Sequence, residues 1–258
     1  AVVFDEWNGG ELDSFLIEIT ANILRFRDED GKPLLDKILD VAGQKGTGKW
    51  SAIAAMDEND PLTLITEAVY ARLLSALYPE RIKAASLYSG KLKVESGKLS
   101  DNAQLSTFNF QLSIEDVRQA LYAAKLISYA QGFSLLRHAS EHYGWDLDYG
   151  TIARIWRKGC IIRSVFLQKI TEAYRKDPDL ENLLFDDFFH TKIQEALPAW
   201  RRVVAEGALS GVALPAMSSA LNYFDVLRTL YSAANMIQAQ RDYFGAHTYE
   251  RTDRERGH

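Results

Sequence analysis

Leu121-Tyr122-Ala123-Ala124-Lys125-Leu126-Ile127-Ser128-Tyr129-Ala130 is apolar nearly all the way round a helical wheel. A helix without a solvated face belongs in the middle of a bundle, so this stretch decides the fold class. Upstream, Ser113 with Asp116 three residues on forms a helix-start signature, and downstream Gly144 is placed to end the same helix. The predicted span is roughly 114–142. Beyond it, apolar residues recurring near every 3.6 predict helices over about 149–157, 163–175, 186–210 and 216–240. Pro178 and Pro215 fall between these, and Pro198 is expected to kink the helix over 186–210. Before the central helix, the same period predicts helices over about 34–41 and 50–57. A longer one, marked by Leu62, Ile65, Val69, Leu73 and Leu77, runs to about Leu87. Leu12, Phe15, Leu16, Ile19 and Ile23 form a first stripe, preceded by Gly9-Gly10. The stretch 89–112, rich in Ser, Gly and Lys, reads as a mobile surface loop with an edge strand. No repeat, no strand–helix alternation and no G-x-G-x-x-G after a strand is present. The expected fold is all-α, a large helical bundle.

The 258 residues can bury a substantial core, and 47% of them are hydrophobic. A net charge of −5 argues against nucleic-acid binding, which wants a basic face. A single cysteine, Cys160, excludes an internal disulfide and suits a reducing cytoplasm. No apolar run reaches the roughly 18 residues of a membrane span, and the first residues carry no signal-peptide pattern. The chain opens directly in Ala1-Val2-Val3-Phe4-Asp5-Glu6-Trp7 and reads as a segment of something longer. After Gly245 the apolar period stops. Glu250-Arg251-Thr252-Asp253-Arg254-Glu255-Arg256 is charged and unpatterned, either a frayed terminus or an arm ordered on another subunit. The expected division is a helical domain over 1–240 and a tail over 241–258.

Gly43-Gln44-Lys45-Gly46-Thr47-Gly48-Lys49-Trp50 fits G-x-x-x-x-G-K up to its last position, where a phosphate-binding loop needs Ser or Thr for Mg²⁺ and this chain has Trp50. The preceding segment has helical rather than strand spacing, which also speaks against a nucleotide-hydrolysing loop. What remains is a Gly-rich cationic turn between helices. Its backbone can approach an anion, with Lys45, Thr47 and the amides as donors. Arg72 lies at the margin of its helix's apolar stripe, where a cation either snorkels outward or reaches an anion across a cleft. The nearby turn favours the second, if the two helices pack antiparallel.

Other candidates read more plainly as structure. His138-Ala139-Ser140-Glu141-His142 matches the H-x-x-E-H zinc-peptidase pattern, but no third ligand announces itself, and His at a helix end is favoured by the dipole. Asp186, Asp187 and His190 have metal-ligand spacing, yet carboxylates in a first helical turn serve as caps. No metal is therefore expected. Cys160, among Arg157, Lys158 and Arg163, is a reactive thiol or, preferably, a buried structural thiol in a tight turn. Arg241, Tyr243 and His247 follow the final helix, and nothing local shows what they bind.

Taken together, these segments resemble the C-terminal helical domain of the 6-phosphogluconate dehydrogenase family, NADP-dependent decarboxylating enzymes of the pentose phosphate pathway. The resemblance is carried by Phe4-Asp5-Glu6-Trp7-Asn8 with Glu11 to Thr20, by Ala42 to Trp50, by Trp156-Arg157 with Gly159-Cys160-Ile161-Ile162-Arg163-Ser164, and by Gln238 to Glu250. These segments span nearly the whole chain in order. The resemblance implies oxidation of 6-phospho-D-gluconate at C3 by hydride transfer to NADP⁺. Loss of CO₂ and protonation of the enediol then give ribulose 5-phosphate. It also implies that the proton-shuttling Lys and Glu and the NADP-holding Rossmann domain lie upstream of Ala1. No catalytic residue is then expected in this chain, and no dehydrogenase activity from it alone.

What the match carries onto these residues is the phosphate end of the substrate. Lys45, Thr47 and Arg72 fall on the family's phosphate-contacting positions. Arg241 and His247 fall on positions donated by one subunit's tail into its partner's site, which implies a cytoplasmic homodimer with exchanged tails. The chain departs from the pattern in ending at Arg256-Gly257-His258, short of the family's usual tail, and residues 251–256 match no family motif. The rival reading is an independent helical interaction or dimerisation module without catalysis.

Overall fold

The computed structural model describes residues 1–43, 45–88 and 112–255, with backbone pairing alone at Val94–Glu95 and Lys98–Leu99 between the last two stretches. In chain order the described α-helices are α1 (Val2–Asn8), α2 (Phe15–Arg25), α3 (Thr47–Asp57), α4 (Thr63–Ser75), α5 (Tyr78–Tyr88), α6 (Ile114–Tyr143), α7 (Tyr149–Ile155), α8 (Phe166–Lys176), α9 (Asp187–Ser210), α10 (Pro215–Leu227) and α11 (Ala234–Gly245). Val94–Glu95 and Lys98–Leu99 pair antiparallel as a two-residue hairpin, and most of the loop expected over 89–112 lies outside the described residues. The all-helical fold is as expected.

The chain divides into two compact units, Ala1–Leu221 and Asn222–His258. In the first, α6 packs along α9. Ala120, Ala123, Leu126 and Ile127 of α6 meet Phe189, Ile193, Trp200 and Val203 of α9 in the fully buried core. Burial of this kind is the main favourable term in folding. The start of α6 is a closed capping box: Asp116 N–H donates to Ser113 Oγ at 3.0 Å, and Ser113 N–H donates to the Asp116 carboxylate at 2.9 Å. The Ser113 amide, then Arg202 of α9 and the Ser113 hydroxyl, hold the Asp116 carboxyl down to about 2. Gly144 ends α6 in the left-handed conformation at φ +66°. The N-terminal pair α1–α2 is pinned to the segment before α8 by an isolated bridge, with Phe15 N–H on Arg163 O and Val165 N–H on Asp13 O, both at 3.2 Å.

Several element boundaries differ from expectation. Residues 34–41 form only a short 3-10 turn at Leu34–Lys37, followed by extended chain. Leu35, Ile38 and Leu39 remain exposed there, so no packing offsets the cost of nucleating a short helix. The helix expected over 62–87 breaks between α4 and α5. Pro79 has no N–H for the Ser75 carbonyl, which instead accepts from Arg81 Nη1 at 3.0 Å. The helix expected over 216–240 breaks between α10 and α11, where the Thr229 hydroxyl takes the Asp225 carbonyl, a side-chain alternative to the helical ladder. In α2 the buried face is Ile17 and Ala21, with Leu12 ahead of it, whereas Leu16 and Ile23 of the expected stripe are exposed. Helix α1, whose Trp7 is buried, had no periodic signal over its seven residues.

Candidate functional site

The Gly-rich turn runs into the first residue of α3. Gly46 sits at φ +108°, a conformation that side-chain-bearing residues rarely adopt. Gly48 has a different reason. A Cβ there would lie 2.8 Å from Val69 Cγ2 of α4, so glycine lets the two helices approach. Helices α3 and α4 form a hairpin, closed at residues 58–62 and open at the turn.

At the open end, Arg72 of α4 donates through Nη2 to the Gly43 carbonyl. The guanidinium therefore reaches the turn that carries Lys45 and Thr47, both exposed to solvent. Ser75 links the same parts: its hydroxyl donates to Arg72 O at 2.7 Å and accepts from Ala42 N–H at 2.9 Å. Arg81 holds the chain just upstream through Asp40, whose carboxyl it lowers. Arg72 thus meets the exposed turn that carries Lys45 and leads into the first-turn amides of α3, a combination suited to a phosphate or carboxylate. Trp50 is exposed where a nucleotide loop would hold Mg²⁺, and the chain ahead of the turn belongs to no sheet among the described residues.

Arg241 and His247 lie in the second unit. Arg241 is exposed on α11, and His247 folds back so that a Cβ on Gly245 would meet its ring at 2.7 Å. Ala246 and Thr248 adopt positive φ in this return. Gln238 donates to Thr248 O, and Thr248 N–H donates to Asp242 at 2.9 Å. Together they form a recess of about 940 Å³ lined by Asn235, Gln238, His247 and Tyr249.

The zinc-like pattern on α6 holds no metal set. His138 Nδ1 lies 2.7 Å from Asp60 and His142 Nδ1 lies 2.8 Å from Glu58. Among the described residues no three His, Cys, Asp or Glu side chains converge. Asp186 caps α9 through Phe188 N–H at 3.0 Å, and Asp187 pairs with Lys176 at 2.7 Å. Cys160 is half-buried in a turn with Gly159 at φ +70°.

One residue of chemical interest escaped the sequence reading. The Lys125 amine is pushed down to about 8, chiefly by burial and against the attraction of Asp13. It lines a cavity of about 490 Å³ with Ser14, Tyr129, Trp156 and Arg163. The available signal was a lone lysine in an otherwise apolar stretch. Also missed were Ser75 and Arg81, whose roles depend on where two segments meet.

A family model described as 6-phosphogluconate dehydrogenase, C-terminal domain, matches residues 1–258. The decarboxylating 6-phosphogluconate dehydrogenase of Cunninghamella elegans is 56% identical over 250 residues, 97% of this chain and 50% of its own length. The human enzyme of the same description is 54% identical over 250 residues, again 97% and 50%. The NADP(+)-dependent, decarboxylating enzyme of Bacillus subtilis is 54% identical over 254 residues, 98% and 52%. A solved structure of Plasmodium falciparum 6-phosphogluconate dehydrogenase superposes with a TM-score of 0.88 at 43% identity, covering 98% of this chain and 52% of that one. That enzyme is described in its apo form, with its cofactor NADP⁺ and with its substrate 6-phosphogluconate. The chain spans about half the length of the curated relatives it matches.

Proposed function

Because the chain belongs to the 6-phosphogluconate dehydrogenase family, as its C-terminal domain, we propose that it is the substrate-binding half of an enzyme that oxidatively decarboxylates 6-phospho-D-gluconate to ribulose 5-phosphate with reduction of NADP. The observation that carries the reading is the reach of Arg72 from α4 to the Gly43 carbonyl of the Gly-rich turn. This contact with the turn that carries Lys45 and Thr47 supports a corner in which the three residues hold the 6-phosphate through charge-assisted bonds. Binding energy gathered at this remote end orients C3 for hydride loss at the other.

The described residues do not fit a dinucleotide cradle. Their one sheet is a two-residue hairpin, and no strand–turn–helix with clustered glycines is present. NADP is accordingly held mainly by protein outside this chain, and this segment alone is inactive. Arg241 and His247 enter the partner's site in a homodimer with exchanged tails. The lone cysteine, and the absence among described residues of a helix long and apolar enough to cross a membrane, are compatible with a cytoplasmic enzyme.

In the full-length protein, Arg72→Ala is expected to weaken 6-phosphogluconate binding by about 2–4 kcal/mol, as for a desolvated charge pair. An unchanged KM refutes the assignment. Sedimentation showing a stable monomer would remove Arg241 and His247 from the site.

A further inference from the structure

Helix α6 carries Gln131, Ser134, His138 and His142, spaced three, four and four residues apart and hence on one face. Every one of them bonds to the closed end of the α3–α4 hairpin or to the first turn of α4. Gln131 is fully buried. Its Oε1 accepts from Leu64 N–H at 3.0 Å and its Nε2 donates to Thr63 Oγ1 at 2.9 Å, which satisfies an early amide of α4. Ser134 Oγ and His138 Nδ1 both lie 2.7 Å from Asp60 Oδ2. One turn further, His142 Nδ1 lies 2.8 Å from Glu58 Oε2.

Asp60 makes this more than incidental surface pairing. Its side chain is 1% exposed, and its Oδ1 has no hydrogen-bond partner among the described residues. A carboxylate so buried and supported at one oxygen depends heavily on the two donors it has, since an uncompensated buried charge is strongly destabilising. His138 is fixed on its other side as well. Arg137 Nη2 lies 3.1 Å from Nε2, and because a guanidinium can only donate, Nε2 accepts and the ring proton sits on Nδ1, facing Asp60. Arg137 is itself tied to Glu141 at 2.7 Å and to the Glu181 carbonyl at 3.2 Å.

These bonds from α6 form a latch at the closed end of the α3–α4 hairpin, and the anion corner lies at its open end. Helices α3 and α4 leave the latch side by side and reach Thr47 and Arg72 after roughly 15 Å, at about 1.5 Å per residue. Their close approach at Gly48 and Val69 leaves little room for one to shift without the other. A tilt at the latch is therefore delivered to the open end, where a displacement near 1 Å is enough to spoil binding geometry.

We infer that Gln131, Ser134, His138 and His142 are positioning residues, which act through the first turn of α4, Asp60 and Glu58 to hold the α3–α4 hairpin and thereby aim Arg72 and the Gly-rich turn at the substrate's phosphate. The inference rests on the phosphate reading given above. It assigns the H-x-x-E-H pattern a mechanical role in place of a metal.

The test is steady-state kinetics of the full-length enzyme, with inorganic phosphate as competitor and Arg72→Ala as reference. His138→Ala is expected to raise KM for 6-phosphogluconate about fivefold with kcat within about twofold, and to weaken phosphate competition by a similar factor. His138→Asn, whose amide can donate from the place of Nδ1, should restore most of the loss. Asp60→Ala should match His138→Ala, and the double variant should be no worse than either single one. Should His138→Ala fail to fold, Ser134→Ala removes one bond to Asp60 and should raise KM about threefold with a smaller fall in Tm than His138→Ala. If Arg72→Ala raises KM while His138→Ala or Ser134→Ala leaves it flat, or if the double variant is additive, the latch is overturned and the phosphate corner stands. If Arg72→Ala itself is silent, the corner falls and takes the latch with it.

Discussion

Where α6 meets α9, Trp200, Phe189 and Ile127 have no accessible surface, and the Trp200 indole N–H donates to Met217 O at 3.2 Å. Where α3 meets α4, Trp50 is 66% exposed and Met56 70%, although Ala55, Leu62, Leu64 and Val69 are buried, and polar bonds reach Asp60 and Glu58 at one end. The first region resembles a protein interior cut to native density. The second is lightly packed on its outer side and pinned by hydrogen bonds at its closed end. Burial of this size supplies stability without much regard to direction. Hydrogen bonds of defined geometry supply direction at modest net energy. On the proposed reading, the molecule keeps its stability in one helix pair and its aim in another.

Substitutions that load the two regions unequally test that division. The largest effect belongs to Trp200→Ala, expected to cost about 3–5 kcal/mol of unfolding free energy by urea titration, while the folded fraction of the full-length enzyme keeps its KM within about twofold. A large KM change there would show that core and corner are not separable. Gly48→Ala should do the opposite. The new Cβ would lie 2.8 Å from Val69 Cγ2, and because Val69 is β-branched and stiff the helices must part. The expected cost is about 1–3 kcal/mol, and its signature is a raised KM for 6-phosphogluconate with only a modest fall in Tm. A stability loss with KM unmoved would count against the hairpin as the element that aims the site.

The smallest effect probes the half-buried cation of the core side. The Lys125 amine is pushed from 10.5 down to about 8 by burial. Below pH 8 the amine is charged in both folded and unfolded chains, so the cost of burying it is fully felt. Between about 8 and 10 the unfolded chain binds more protons, and the stability contribution of this group therefore rises with pH. Lys125→Met should add about 1–2 kcal/mol at pH 7, with the gain shrinking toward pH 10 in paired urea melts. A gain independent of pH would contradict the assignment.

Much of this division could be read from the chain. The all-round apolar stretch from Leu121 to Ala130 announced the buried helix, and Ser113, Asp116 and Gly144 marked its ends, because caps and periodicity are local signals. Lys45, Thr47 and Arg72 were singled out by a glycine-dense turn and by one cation at the edge of an apolar stripe. The failures were of a different kind. Residues 34–41 carry helical spacing without helical structure, since an amphipathic pattern forms a helix only where something covers it. Pro79 interrupts one helix that apolar periodicity alone runs straight through, and another ends at Leu227, just ahead of the Thr229 side-chain bond to Asp225 O. His138 and His142 were read as a solvated helix end or a metal pair, because their true partners, Asp60 and Glu58, are far away in sequence.

The sequence by itself determined that this chain is helical, which helix is central, and which glycine-bent turn carries cations beside free amides. Those properties follow from spacing, backbone freedom and charge within a few residues. Only the tertiary structure decided that Arg72 reaches Gly43, that α3 and α4 close on each other at Gly48 and Val69, and that four residues of α6 grip the far end of that pair. Such contacts join segments tens of residues apart, and their worth comes from burial and geometry that exist only once the chain has folded.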